Sequence, residues 1–215
     1  MYWVKTPVLL RRLCSGYWWQ MPTASRELFL TFDDGPTPFL TEEVLQTLQA
    51  FQAQATFFLV GNNAERYPDL VKKIREGHHS IGNHTYHHLN GWTTPASAYL
   101  SDIHRCSELV PAVLFRPPYG LITRRQAREA SRRYQIVMWD VLSGDFDHHL
   151  PREKCLHNVM DYAAPGSIIV FHDSIKAADR MLYALPRVLD YFASRRYRFS
   201  ALPMPASRPS IFAGA

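Results

Sequence analysis

Short apolar runs separated by amphipathic segments of helix length organise the chain. The runs are Leu28 to Phe32, Ala55 to Val60, Ser80 to Gly82, Leu114 to Arg116, Gln135 to Trp139, Ser167 to Phe171 and Tyr197 to Ala201. Their length and composition suit buried strands, and the segments between them carry helical periodicity. Thr41 reads as an N-cap, Glu42 and Glu43 complement the first turn, and Val44, Leu45, Leu48 and Phe51 share one face. Pro68 opens a second helix that buries Leu70, Val71 and Ile74 and stops at Gly77. Pro186 is expected in the first turn of a final helix carrying Val188, Leu189 and Phe192, because deeper inside a helix it would remove a hydrogen bond. Repeated strand-helix units imply an α/β fold with a parallel sheet, either open and doubly wound or closed into a barrel. The pair Asp33 and Asp34, the pair His84 and His88, then Arg116, Asp145 and His172 each follow the end of a different strand. Active sites of β/α barrels gather at that face, which favours the barrel. Seven strand candidates rather than eight predict a distorted, incomplete (β/α) barrel of about seven parallel strands.

The aspartates lie side by side in Thr31-Phe32-Asp33-Asp34-Gly35-Pro36, at the end of an apolar run and before a turn. Adjacent side chains of a strand point to opposite sides, so the two carboxylates share one site only if the chain turns there. Like charges this close are costly unless a cation neutralises one or the two divide the work between ligand and base. His84 and His88 stand four apart, the spacing that places two imidazoles on one helical face and chelates a divalent metal. Two imidazoles and one carboxylate form a three-ligand set with open positions, the arrangement of a catalytic metal site.

TFDDGP from Thr31, ATFF at Ala55 to Phe58, GNHTYHH from Gly82, RPPYG from Arg116 and IIVFHD from Ile168 resemble, in order, the motifs of the polysaccharide deacetylases. This is the NodB-homology group, carbohydrate esterase family four, and the resemblance runs from about Leu28 to Ala201. It implies a metal-dependent hydrolase that removes acetyl groups from an N-acetylated amino sugar or its polymer. By resemblance Asp34, His84 and His88 hold the metal, which activates a water; Asp33 is the general base and His172 the general acid. Zinc is the implied metal, with cobalt, nickel or ferrous iron as alternatives. Arg116 would pair with Asp33 and orient it, and the backbone N–H of Tyr119 would help hold the oxyanion on a turn stiffened by Pro117 and Pro118. Many members of the family carry an aspartate followed by tryptophan beside the acid, whereas this chain has Asp145-Phe146. The carboxylate is kept and the indole donor lost, so Asp140 and Asp147 are rivals to Asp145 as partner of His172. Phe146 and Pro118 are expected at the substrate, and Trp92 either stacks on a sugar ring or covers the barrel mouth. His78, His79, His87, His148 and His149 read as non-ligands. Two further readings are a deformylase or amidohydrolase acting on a lipid-linked formamido sugar or small cyclic amide, and a carbohydrate-binding domain without catalysis. The retained Asp33 and His172 argue against the last of these.

The 215 residues suffice for one domain, and no repeat or composition break divides them. The expected organisation is an aromatic and basic capping segment (1–27), the deacetylase-like domain (28–201) and a tail (202–215). The net charge of +5 is spread over scattered arginine pairs and no recognition motif accompanies it, so nucleic acid is not an expected partner. Cys14, Cys106 and Cys155 are far apart and read as small hydrophobes rather than disulfides. With no signal-peptide pattern or membrane-length apolar run, the expectation is a cytoplasmic protein. Peripheral attachment to the inner face of a membrane, through Tyr2, Trp3, Tyr17, Trp18 and Trp19 with Lys5, Arg11 and Arg12, is the less favoured alternative.

Overall fold

The computed structural model describes residues 2–205. Its strands are β1 (Glu27–Asp33), β2 (Thr56–Leu59), β3 (Ser80–Asn83), β4 (Leu114–Phe115), β5 (Gln135–Ile136), β6 (Val141–Leu142), β7 (Ile168–His172) and β8 (Arg198–Phe199). They form one parallel sheet in the order β5-β4-β3-β2-β1-β7-β6, with β8 pairing the first residues of β1. The sheet curls into an incomplete (β/α) barrel, as the sequence predicts. β1 is central, and its flanking ladders set Asp33 beside Phe58 of β2 and beside His172 of β7. Parallel register therefore delivers the strand ends to one face without any loop having to search for it.

The helices are α1 (Val8–Leu13), α2 (Leu40–Ala50), α3 (Gly61–Arg66), α4 (Pro68–Glu76), α5 (Ala96–Leu109), α6 (Arg124–Ala130), α7 (Arg152–Met160) and α8 (Ala178–Ala193). Val44 and Leu48 of α2, Val71 and Ile74 of α4 and Met181, Val188 and Leu189 of α8 pack on Phe32, Phe57 and Phe171 of the sheet. Those three phenylalanines stack, with Phe32 centroids 5.0 Å from Phe57 and 6.1 Å from Phe171. Each buried ring contributes about 2–3 kcal/mol of transfer free energy. This layer makes the site's floor rigid.

Several local expectations are corrected. Pro186 lies inside α8 rather than at its start, because the helix buries Met181, Ala184, Leu185, Val188, Leu189 and Phe192 along one continuous face, which outweighs the lost backbone bond. Thr41 sits within α2, which begins at Leu40; its hydroxyl accepts from Thr37 N–H and donates to Asp173 instead of capping the helix. β6 is only two residues long, too short for periodicity to reveal. Leu202, assigned to the tail, is buried and bonds to Thr56 and Ser80, so the domain's packing continues past residue 201. Residues 206–215 of that expected tail lie outside the described residues.

The segment before β1 does not sit over one end of the barrel alone. Trp18 exchanges backbone bonds with Ile136 and Met138 beside β5, while Lys5 pairs antiparallel with Val141 of β6. The segment thus covers both edge strands, which would otherwise present unpaired backbone groups. Tyr17, Trp18 and Trp19 pack against the core, whereas Trp3 stays exposed. Asp140, fully buried, fastens the segment by accepting from Lys5 (2.6 Å), Arg11 (3.1 Å) and Ser167 (2.5 Å). Lys5 and Arg11 can reach water if the carboxylate is removed. Asp140→Ala is accordingly expected to cost about 2–3 kcal/mol, the worth of charge-assisted bonds, rather than the larger penalty of a stranded buried charge. A urea titration measures it, and metal content should remain that of the parent protein. No helix among the described residues is long and apolar enough to cross a membrane.

Candidate metal and hydrolase site

β1 ends on Asp33, whose buried side chain stays with the strand, and the chain then reverses at Asp34, which has φ 76. Asn63 Nδ2 donates to the Asp34 carbonyl (2.8 Å) and holds the reversal. Gly35 follows because nothing larger fits: a Cβ there would lie 2.1 Å from the Asp173 carboxylate oxygen. The turn solves the problem posed by two adjacent aspartates, sending Asp33 inward and Asp34 toward the histidines.

His84 and His88 do not share a helix. They lie in an irregular loop after β3, in which Thr85 (φ 62) and His88 (φ 57) take left-handed backbone conformations. The bends are secured by Asp102 of α5, which accepts from the N–H groups of Tyr86 and His87, and by Asn83, which accepts from Thr85 N–H. The loop still brings both imidazoles to Asp34: Nε2 of His88 stands 3.0 Å and Nε2 of His84 3.9 Å from Asp34 Oδ1. One donor atom from each of the three residues lies within 4.8 Å of the others.

The donor chemistry suits a divalent cation. His84 Nδ1 lies 2.7 Å from the carbonyl of Arg116, which can only accept, so this nitrogen carries the proton and the neutral ring turns the Nε2 lone pair toward Asp34. Burial, opposed by the nearby Asp33, pushes the His84 pKa down to about 4, so the ring is neutral near pH 7. His88 Nδ1 meets the Tyr119 hydroxyl at 3.1 Å. Asp34 is held ionised: burial opposes the charge, but the His88 hydrogen bond and the charge of His172, with smaller help from the neighbouring imidazoles, lower its pKa well below the carboxylate range. A lone pair and an anionic oxygen facing each other at this separation call for a positive charge between them.

Arg116, completely buried, follows β4 and reaches under the site. Its guanidinium donates to Asp33 Oδ1 (2.7 Å), Thr31 Oγ1 (2.7 Å) and the Val137 and Met138 carbonyls, and it lies over the Phe58 ring at 4.1 Å. The pairing of Arg116 with Asp33 expected from the resemblance is present. His172 closes β7, and its Nδ1 lies 2.7 Å from Asp145 Oδ1 while its backbone N–H donates to Asp145 Oδ2 (2.7 Å). Arg180 fixes Asp145 through the backbone carbonyl (2.8 Å). Burial alone would depress the His172 pKa, but the charge and hydrogen bond of Asp145, assisted by Asp34 and Asp33, outweigh it and raise the value to about 9. Of the three aspartates weighed as its partner, Asp145 occupies the place; Asp140 binds Lys5 and Arg11, and Asp147 binds Tyr2.

Tyr119 has φ 60 in the turn at Pro118–Gly120, with Pro118 buried beneath it. Phe146 meets His172 edge-on at 5.3 Å. Trp92 is exposed on the loop after His88. His79 accepts from Ala55 N–H and His87 pairs with Asp102, so both have positions of their own apart from the three donors. Sequence reasoning missed Thr31, Lys176, whose Nζ lies 3.6 Å from Asp34 Oδ2, and Asp173, whose pKa burial drives up to about 8. Asp173 directly follows His172, so its place next to the site was readable; Lys176 gave no comparable signal.

A family model described as polysaccharide deacetylase matches residues 20–139. A peptidoglycan-N-acetylglucosamine deacetylase of Bacillus cereus is 33% identical over 190 residues, covering 84% of this chain and 88% of the relative. A chitooligosaccharide deacetylase of Azorhizobium caulinodans is 33% identical over 155 residues, covering 68% of this chain and 73% of the relative. Among solved structures, a peptidoglycan N-acetylglucosamine deacetylase in complex with an N-oxidanyl-benzamide superposes with a TM-score of 0.84 at 32% identity, covering 92% of this chain and 95% of that one. The ordered motifs, the incomplete barrel and these relationships agree: the chain belongs to the polysaccharide deacetylase family.

Proposed function

We propose that the protein is a divalent-metal-dependent N-deacetylase of an N-acetylated amino sugar in a glycan oligomer or polymer. The observation that supports this reading is the register that makes Asp33 and His172 partners across adjacent strands, together with the grouping of the next residue, Asp34, with His84 and His88. The named activities of the Bacillus and Azorhizobium relatives support the substrate class. Asp34, His84 and His88 would hold the metal, zinc in the first instance, and the metal would supply Lewis-acid activation of water and of the acetamide carbonyl. Asp33, anchored through Oδ1 by Arg116, accepts the proton of the attacking water. The Tyr119 N–H faces the developing oxyanion from its turn. His172, protonated and held through Nδ1 by Asp145, gives a proton to the departing nitrogen as the C–N bond breaks, leaving acetate and a free amine. Phe146 lines the approach, and Trp92 offers a face to a neighbouring sugar. We assign the catalytic unit to 28–201 extended to the buried Leu202, and 1–27 as an added segment. A cytoplasmic location is supported by three free thiols, and recovery of the protein in a cell-surface fraction would overturn that placement.

The test is acetate release from N-acetylglucosamine oligomers by chelator-stripped protein, before and after zinc is returned. Activity should vanish on stripping and recover on addition. His88→Ala should weaken zinc binding by more than about 100-fold, since even loss of a group behind a ligand costs 10–100-fold. Equilibrium dialysis with elemental analysis reads this directly, and a fully loaded His88→Ala protein would remove His88 from the ligand set.

A further inference from the structure

Residues 2–6 run antiparallel to 140–144 along β6. Leu142 N–H donates to the Val4 carbonyl (2.8 Å), Thr6 N–H donates to the Asp140 carbonyl (2.9 Å), and Lys5 pairs with Val141 between them. Continued by two residues, this register sets Tyr2 opposite Gly144. Gly144 has φ +81, and a Cβ on it would lie 2.9 Å from the Tyr2 hydroxyl oxygen, so the missing side chain leaves room for the phenol. That hydroxyl donates to Asp147 Oδ2 at 3.1 Å. Burial first, then the hydrogen bond to Asp147, raises the phenol pKa to about 12, so it remains a donor across the working range. The Tyr2 ring contacts Phe146 at 5.0 Å, and Phe146 meets the His172 imidazole at 5.3 Å. Phe146 has no polar atom through which a hydrogen bond could fix its ring; only packing on its two sides can do so.

We infer that Tyr2 is a positioning residue of the site: anchored by Asp147 in the space left by Gly144, it backs Phe146 and thereby fixes the His172 imidazole opposite Asp145. The inference rests on the deacetylase reading for its kinetic consequence, and on the ring contacts, the Asp147 bond and the space at Gly144 for its geometry. It makes the segment before β1 part of the reacting centre, although that segment supplies none of the groups proposed to touch substrate.

The test uses the full chain with Tyr2→Ala and Tyr2→Phe. Tyr2→Ala should lower kcat about tenfold, the order of loss expected from a small misplacement of a reacting group, with KM changed less than about twofold. The His172 imidazole resonance, assigned through His172→Gln, should shift because the ring current of Phe146 moves with it. Tyr2→Phe keeps the ring and loses only the hydroxyl, so it should restore kcat to within about threefold and return the resonance toward its parent position. A Tyr2→Ala protein with a lowered melting temperature but unchanged kcat and resonance would overturn the inference. Equal damage from both substitutions would also overturn it, because the ring would then not be the positioning element. If the parent protein released no acetate from any acetylated sugar, the proposed function would fail while the resonance shift still decided the geometry.

Discussion

Asp33→Asn should bind zinc as tightly as the parent protein and turn over at least about 100-fold more slowly, the lower end of the contribution of a positioned general base. The expectation follows from the reversal of the chain at Asp34, which separates two adjacent carboxylates into different environments. Asp34 faces the two imidazoles, whereas Asp33 is held by Arg116 beneath them. Asparagine keeps the volume of aspartate and can still accept from the guanidinium through its amide oxygen, so the turn survives. It cannot take a proton from water. Asp33 also balances the completely buried Arg116, whose bonds to Thr31, Val137 and Met138 all go to neutral oxygens, so neutralising it leaves an uncompensated charge. Removing one member of such a pair costs about 3–5 kcal/mol, and the bond retained to asparagine should hold the loss toward the lower end. A lowered urea midpoint together with normal zinc stoichiometry and nearly absent turnover is therefore the expected combination. Parent-like acetate release from Asp33→Asn would move the base elsewhere, and loss of zinc would make Asp33 a ligand.

The parallel strand-helix alternation and the face on which the site lies were legible in the sequence because both follow from short-range pattern, the apolar runs and the turn at Gly35-Pro36; the histidine spacing pointed to two donors, while the choice of Asp34 as the third came from the family resemblance. The reason behind the histidine spacing was not. A separation of four residues suggests a helix, yet here it is produced by two left-handed residues held by Asp102, and nothing local to positions 84–88 announces an aspartate in the following helix. Pro186 misled for a related reason, since a local cost was set against burial of a helical face that only tertiary packing supplies. The partner of His172 could not be chosen among three aspartates in one ten-residue stretch until β6 was known to end before Asp145. Tyr2 was legible only as an aromatic in a basic segment. Its contact with Phe146 depends on pairing residues nearly 140 positions apart, as the Lys5–Val141 bridge shows.

Asp145→Asn should move the alkaline limb of the pH-rate profile downward by about two units while leaving zinc binding intact. His172 acts as an acid only while protonated, so activity falls as pH rises through its pKa. That value stands raised, at about 9, because Asp145 overcomes a burial effect of opposite sign with smaller help from Asp34 and Asp33. A cation bound by Asp34 cancels most of that residue's pull, which sets the limb of the loaded enzyme somewhat below 9 and leaves Asp145 as the principal support. With asparagine in its place burial prevails, and the imidazole should lose its proton near or below neutrality. At pH 8 the variant should therefore retain less than about a tenth of the parent rate, whereas near pH 6 the two should approach one another. The substitution keeps the backbone carbonyl to which Arg180 donates, so the loop stays attached and the change is read through the imidazole rather than through unfolding. A rate reduced equally at every pH would assign Asp145 a structural part only, and an unmoved limb would mean that another group sets it.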